Sequence, residues 1–270
     1  MQPPVALSAL RRAVMALEPG VAKAAARPFA TGLDDLDAWL GGGLARGVLH
    51  EVHAGHARHP AAATGFGLGL ALRAAGGRPL IWVRQDPVEA RVGGLYGDGL
   101  AAYGLDPSRL VVVRARDPTG ALRAVDEAAR CTGLGAALVE MGGSPKNLDL
   151  KASRRLTLSA RASGVTLVMI RLDASACPSA ATTRWSVASV ASAPFEAQAP
   201  GRPAFAATLL RHRAGRHSRT WHLEWDRDSL RFSSPVAAPA ATAPLPRTVV
   251  SVPAVGPGPV EDAAGRRRAG

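Results

Sequence analysis

The chain has 270 residues, of which 47% are hydrophobic, and a net charge of +12 from 33 basic and 21 acidic residues. Every apolar stretch is interrupted by Arg, Gly or Pro before it reaches the ~20 residues of a membrane span. The N-terminal residues also lack the basic region followed by an apolar region that is typical of a signal peptide. Cys131 and Cys177 match no disulfide pattern, which is typical of a reducing compartment. We therefore expect a cytoplasmic protein whose charge attracts polyanions without specifying one.

The N-terminal region predicts an isolated amphipathic helix. Over residues 4–18, apolar side chains recur at steps of three and four, which is the spacing of one helical face. The predicted helix ends at Pro19, and an Ala-rich linker follows. We assign residues 1–26 to this helix and its linker.

The central region, residues 27–233, alternates strand-like and helical segments. Strands are predicted at 47–53, 79–84, 109–114, 135–140 and 164–171. Helices are predicted between them, at 61–76, 88–104, 119–132 and 150–162. This order predicts an α/β domain with a mostly parallel sheet flanked by helices.

Beyond Arg171 the helical pattern ends, and a C-terminal antiparallel extension of the sheet is predicted. Its strands are RWSVASV, PAFAATLLRHR and RTWHLEW. In the last run, Trp221 and Trp225 are separated by an even number of residues, so we expect both side chains to face the core. Residues 234–270 are rich in Pro and Ala and predict a disordered tail, in which RTVVSVP is a candidate docking motif.

The run PFATGLDDLDAWLGGGLARGVLHEV resembles the start of the RecA core, where a strand leads into a phosphate-binding Walker A loop. Such a loop needs glycines, a Lys and a Ser or Thr. The corresponding stretch, Ala54–Thr64, reads AGHARHPAAAT and has no Lys. Gln85 lies near the position of the family's glutamate, and Glu140 lies near the Walker B acid, where we interpret it as a solvated residue at the sheet's rim. We predict a degenerate P-loop, no cofactor and no enzymatic activity.

Four histidines recur at every third position: His50, His53, His56 and His59. His50 and His53 belong to a predicted strand, where an odd separation points them to opposite faces. The HEVH run is also one residue shorter than the HExxH zinc motif. We predict neither a metal site here nor a catalytic serine or cysteine, since the expected motifs are absent.

Clustered arginines provide the candidate contacts with DNA or a protein partner. They are Arg154 and Arg155 on a predicted helix, and Arg211, Arg213 and Arg216 around a predicted hairpin turn. Leu148, Leu156 and Leu158 are expected to supply the apolar contacts of that helix. The alternative interpretation of the helical arginines is the solvated face of an ordinary amphipathic helix.

Further runs extend the resemblance: AYGLDPSRLVVVRARD, DLKASRRLTLSARASGVTLVMIR, ATTRWSVAS and the hairpin through HLEW. Together they span about residues 5–232, and the chain is identified as resembling the ImuA family, RecA-like proteins of bacterial SOS mutagenesis. The resemblance implies a non-catalytic adaptor in DNA-damage-induced translesion synthesis. It implies contact with ImuB, a polymerase homologue, and through it with an error-prone replicative polymerase. RecA and DNA are further candidate partners.

Two other functions stay open. One is an atypical RecA-like ATPase or DNA-binding protein that takes its missing cation from a partner. The other is a cell-division inhibitor, because the SulA family also resembles a RecA fold without ATPase chemistry. The length of the chain, its basic hairpin and its N-terminal helix favour the adaptor.

Overall fold

The computed structural model describes residues 27–55, 60–175 and 177–235. The predicted N-terminal helix and nearly all of the predicted tail lie outside these residues. Ser234 and Pro235 follow the last strand without regular structure. No helix in the described part of the chain is long and apolar enough to cross a membrane.

The described residues form six helices and nine strands. The helices are α1 (Asp34–Leu40), α2 (Pro60–Ala75), α3 (Asp86–Val92), α4 (Gly97–Ala102), α5 (Pro118–Arg130) and α6 (Leu150–Ser163). The first five strands are β1 (Leu49–Ala54), β2 (Leu80–Gln85), β3 (Leu110–Ala115), β4 (Ala136–Gly142) and β5 (Thr166–Leu172). The last four are β6 (Thr183–Ser189), β7 (Ala204–His212), β8 (Arg219–Asp226) and β9 (Arg231–Ser233).

All nine strands belong to one mixed sheet, in the order β3-β2-β4-β5-β1-β6-β7-β8-β9. The first five strands pair in parallel, and β7, β8 and β9 pair antiparallel. These findings confirm the predicted α/β class with its antiparallel extension. The antiparallel part begins one strand later than predicted, because β6 pairs in parallel with β1 and antiparallel with β7.

Helices cover the sheet on both faces. One core lies between the sheet and α2 and contains Phe66, Trp82 and Trp185. Trp221 and Trp225 are buried in the same core, as their spacing predicts. The second core lies against α5 and α6 and contains Val125 and Leu156, among others. The sheet therefore has a hydrophobic core on each of its two faces.

The predicted helix over 88–104 is wrong, since the segment forms two short helices, α3 and α4. Gly93 ends α3 in a positive-φ conformation (φ +89°) that a residue with a Cβ adopts only with strain, and Gly94 follows it. Residues 93–96 are therefore extended between the helices. This break brings residues 91–100 over the carboxyl end of β2.

Candidate functional site

The position of the predicted phosphate loop lies between the end of β1 and the start of α2. Residues 56–59 of that loop lie outside the described residues. The first turn of α2 is Pro60 followed by three alanines. Proline carries no N–H and alanine no charge, so this turn supplies neither the Lys nor the full set of amide donors that a Walker A loop uses.

Glu140, at the position of a Walker B acid, is fully buried and not a solvated rim residue, so that interpretation is wrong. Its two carboxylate oxygens are both occupied. Thr64 Oγ1 donates to Glu140 Oε1 at 2.7 Å, and Arg84 Nε donates to Glu140 Oε2 at 2.6 Å. Arg84 is 3% exposed and Glu140 is 0% exposed. A buried carboxylate is tolerated because a guanidinium on the neighbouring strand compensates its charge.

Gln85 also makes a structural contact within the sheet. Its Oε1 accepts a hydrogen bond from the backbone N–H of Gly142 at 3.1 Å, which ties the end of β2 to the end of β4. Arg84 Nη2 donates to the carbonyl of Gly93 at 3.0 Å and so also fixes the segment after α3. The two side chains at the end of β2 therefore hold structural contacts at the place where recombinases carry a catalytic glutamate.

His50 and His53 lie on opposite faces of the sheet, as their odd separation predicts. His50 hydrogen bonds through its ring nitrogens to Thr183 Oγ1 at 2.7 Å and to the carbonyl of Ala45 at 2.9 Å. Burial lowers the pKa of His50 to about 4, so the ring is neutral at neutral pH. His56 and His59 lie outside the described residues.

A second buried ion pair lies on the α6 side of the sheet, and the sequence analysis missed it. Arg184 Nε donates to Glu51 Oε2 at 2.8 Å, and Arg184 Nη2 donates to the carbonyl of Cys177 at 2.6 Å. Burial raises the pKa of Glu51, but the neighbouring side chains of His53 and Ser179 together with the charge of Arg184 lower it on balance. The pair fastens the loop between β5 and β6 onto the sheet.

The predicted contacts Arg154 and Arg155 both lie exposed on α6. Arg155 Nε is 3.7 Å from Asp126 Oδ2 of α5, while Arg154 makes no ion pair with any described residue. Leu158, predicted to face the core, is 50% exposed on the same helix. A groove of about 530 Å³ runs between α5 and α6 and is lined by Arg123 and Lys151 as well as Arg155.

The three predicted arginines of the hairpin are held by different contacts. Arg211 Nη1 donates to the carbonyl of Ser179 at 2.8 Å. The backbone N–H of Arg213 donates to the carbonyl of Thr182 at 2.9 Å. The guanidinium of Arg216 lies 5.4 Å from the centre of the Trp39 ring in α1, a cation–π contact.

Two hairpin arginines and the helix that carries Arg154 and Arg155 contact the same short segment, residues 179–182. Arg211 and Arg213 contact this segment from the hairpin. From the other side, Ser153 Oγ of α6 accepts a hydrogen bond from the N–H of Ala180 at 3.1 Å. We call Arg154, Arg155, Arg211, Arg213 and Arg216, with the segment between them, the basic surface. Its parts are far apart in sequence, and only the sheet order brings them together.

The β3 edge of the sheet is open and apolar. Val111 is 51% exposed and Val112 is 45% exposed, and they point to opposite faces because they are neighbours in a strand. Among the described residues, β3 pairs only with β2, so its outer N–H and C=O groups have no strand partner. An unpaired apolar edge is a template for an added strand.

Comparison with known proteins supports the fold. No family model matches the sequence, and no curated protein is similar to it. The chain is similar to the crystal structure of the RadB recombinase, a RecA-family protein, with 16% sequence identity and a TM-score of 0.50. The similarity covers 77% of this chain and 100% of that one. With its parallel sheet flanked by helices, the chain has a RecA-like fold.

Proposed function

We propose that this chain is a non-catalytic adaptor in DNA-damage-induced, error-prone translesion synthesis, the role that its resemblance to the ImuA family implies. The observation that carries the proposal is the buried pair of Arg84 and Glu140. In an active recombinase the acid at this position serves a bound nucleotide and its metal ion. Here both carboxylate oxygens are already bound by Thr64 and Arg84.

The absence of a cation in the first turn of α2 supports the same conclusion. A nucleoside triphosphate bound there would place several negative charges next to the alanines at 61–63 and the buried Glu140. Without a compensating lysine, desolvating those charges is unfavourable. The chain therefore retains the RecA-like sheet as a rigid support for binding surfaces.

We assign the protein contact to the open edge of β3. An extended segment of an ImuB-like polymerase homologue would add a strand there, with main-chain hydrogen bonds providing affinity and Val111 and Val112 providing apolar contacts. Through that homologue the chain would reach an error-prone polymerase. RecA is a second candidate for the same edge.

We assign DNA to the basic surface. Exposed arginines attract phosphates at long range. Their contribution falls as the salt concentration rises, because releasing counterions from DNA into a more concentrated solution is less favourable. Arg216 contacts an aromatic ring, but that ring, Trp39, is only partly exposed and is already covered by the guanidinium. The surface is therefore suited to the phosphate backbone and not to base stacking. Such binding would position the polymerase complex without reading sequence.

An affinity pull-down from damage-treated cells tests the proposal. The bait is the tagged full-length chain, and the matched baits are Val112→Asp and a version that ends at Ser233. We expect the full-length bait to recover a polymerase homologue and an error-prone polymerase, and Val112→Asp to lose them. Loss only on truncation would assign the contact to the tail and overturn the assignment to β3. Recovery of a cell-division protein alone would overturn the adaptor.

A further inference from the structure

A cavity beside α2 has no role in the proposed adaptor. Its volume is about 660 Å³, within the range of small-molecule sites. Its walls are the first half of α2, the ends of β2 and β4, and the segment from Arg91 to Tyr103. Most of the lining is apolar or aromatic, with Leu68, Leu100 and Phe205 among the contributors.

Two residues that line the cavity each carry a buried donor that makes no hydrogen bond with a described residue. Trp82 and Arg84 both line the cavity and are 1% and 3% exposed. Trp82 Nε1 and Arg84 Nη1 donate to no acceptor among the described residues. Arg84 Nη1 lies 3.9 Å from Glu89 Oε2, an ion-pair distance that is too long for a hydrogen bond. Because indole and guanidinium groups only donate, the missing partner is an acceptor.

The charges of the wall already cancel. Arg84 is paired with Glu140, and Arg91 is paired with Asp173 across the cavity mouth. Two cations and two carboxylates leave no net charge for an anionic ligand to neutralise. A ligand that carried its own charge would therefore have to leave water without compensation, which favours a neutral molecule.

We propose that this cavity binds a neutral, largely apolar small molecule that carries a hydrogen-bond acceptor. The apolar walls supply contact area, and the unpartnered N–H groups of Trp82 and Arg84 supply the polar recognition. Gly93 and Gly94 lie in the segment that borders the cavity, so the segment can adjust without a side chain intruding. The cavity shares no lining residue with the basic surface.

A pair of nearly isosteric probes tests both the site and its polarity. Coumarin is a neutral bicyclic molecule with a carbonyl acceptor, and naphthalene has a similar shape without one. Ligand-observed NMR titrations of the full chain should show that coumarin binds with a submillimolar dissociation constant and that naphthalene binds more weakly. Trp82→Phe keeps the aromatic ring and removes the N–H. It should weaken coumarin binding about fivefold and leave naphthalene binding unchanged.

Variants that fill the cavity locate the binding. Leu100→Trp should abolish coumarin binding. Val92→Trp fills the cavity from another position in the same segment and provides the same test if Leu100→Trp does not fold. Leu158→Trp on the exposed face of α6 is the matched control and should bind coumarin normally. No binding of coumarin in the millimolar range, or equal affinity for the two probes, would overturn the proposal. Coumarin binding that survives both filled variants would overturn it as well.

Discussion

At the carboxyl ends of β2 and β4, Arg84 and Glu140 neutralise each other away from solvent, whereas on the opposite face Arg154 stands exposed on α6 without an ion pair among the described residues. The two regions use the same residue type for different purposes. A buried arginine stabilises a carboxylate that cannot reach water, and an exposed arginine keeps its charge available for a partner. In this chain, burial therefore separates structural arginines from candidate binding arginines.

The largest effect is expected from breaking the interior pair. Arg84→Met should lower the free energy of unfolding by about 3–5 kcal/mol, because it leaves Glu140 charged and buried without a partner. Adding Glu140→Leu should restore most of that loss. Urea denaturation measures all three proteins. Arg227→Met, which removes an exposed pair with Asp228, should cost less than about 1 kcal/mol; an equal cost for the two arginines would remove the distinction.

Acid should destabilise the interior through His50. The unfolded chain binds a proton at this histidine near pH 6.5, but burial holds its pKa in the folded protein at about 4. The unfolded state therefore binds more protons in this window, and stability falls as the pH drops from 6.5 to 4. We expect a loss of roughly 3 kcal/mol from this group.

The control for this prediction is His50→Asn, which cannot titrate. Denaturation midpoints across the pH window should fall more steeply for the unmodified chain than for the variant. Parallel pH profiles for the two proteins would show that His50 does not contribute in this way.

The basic surface should affect DNA and not stability. The double substitution Arg154→Glu and Arg155→Glu should weaken binding of a duplex oligonucleotide about tenfold at low salt, with a smaller effect at high salt. Fluorescence anisotropy over a salt series measures it. Arg109→Glu with Arg227→Glu makes the same change in net charge at exposed positions elsewhere. If the control pair weakens binding equally, the net charge and not the surface carries the affinity.

The smallest expected effect concerns Arg216, which is exposed but stacked. Replacing it by Met should lower the free energy of unfolding by about 0.5–1 kcal/mol, because the cation–π contact with Trp39 is lost. Arg227→Met, at an exposed position without an aromatic neighbour, is the control. Equal free energies of unfolding for the two variants would show that the contact between Arg216 and Trp39 does not stabilise the fold.

The parallel strands could be predicted from sequence because buried strands read as continuous apolar runs. The five predicted strands agree with β1 to β5 to within two residues at each end. The antiparallel pairing of β6 with β7 agrees with the predicted extension, but its parallel pairing with β1 was not predicted. The alternating burial of β6 resembles that of an antiparallel strand, although its partner β1 lies in parallel. The alternation of buried and exposed residues shows which face of a strand is buried, but it does not depend on whether the neighbouring strand runs parallel or antiparallel.

The site was harder to predict than the fold. The absence of a Lys after β1 is visible in the sequence, but the burial of Glu140 depends on Arg84, which is 56 positions away and adjacent only through the pairing of β2 with β4. An acid at the end of a strand gives the same local pattern whether it is solvated or paired. Likewise, Leu158 fits a helical repeat in sequence, yet it faces solvent beside the arginines.

The most direct test of the account is a titration of the full chain with Mg²⁺ and ATP by isothermal calorimetry, combined with a measurement of phosphate release. The account predicts no saturable binding at millimolar nucleotide and no release above background, because Thr64 and Arg84 already occupy Glu140 and the first turn of α2 carries no cation. Stoichiometric binding with turnover that is lost in Glu140→Gln would contradict it and would make the chain an ATPase.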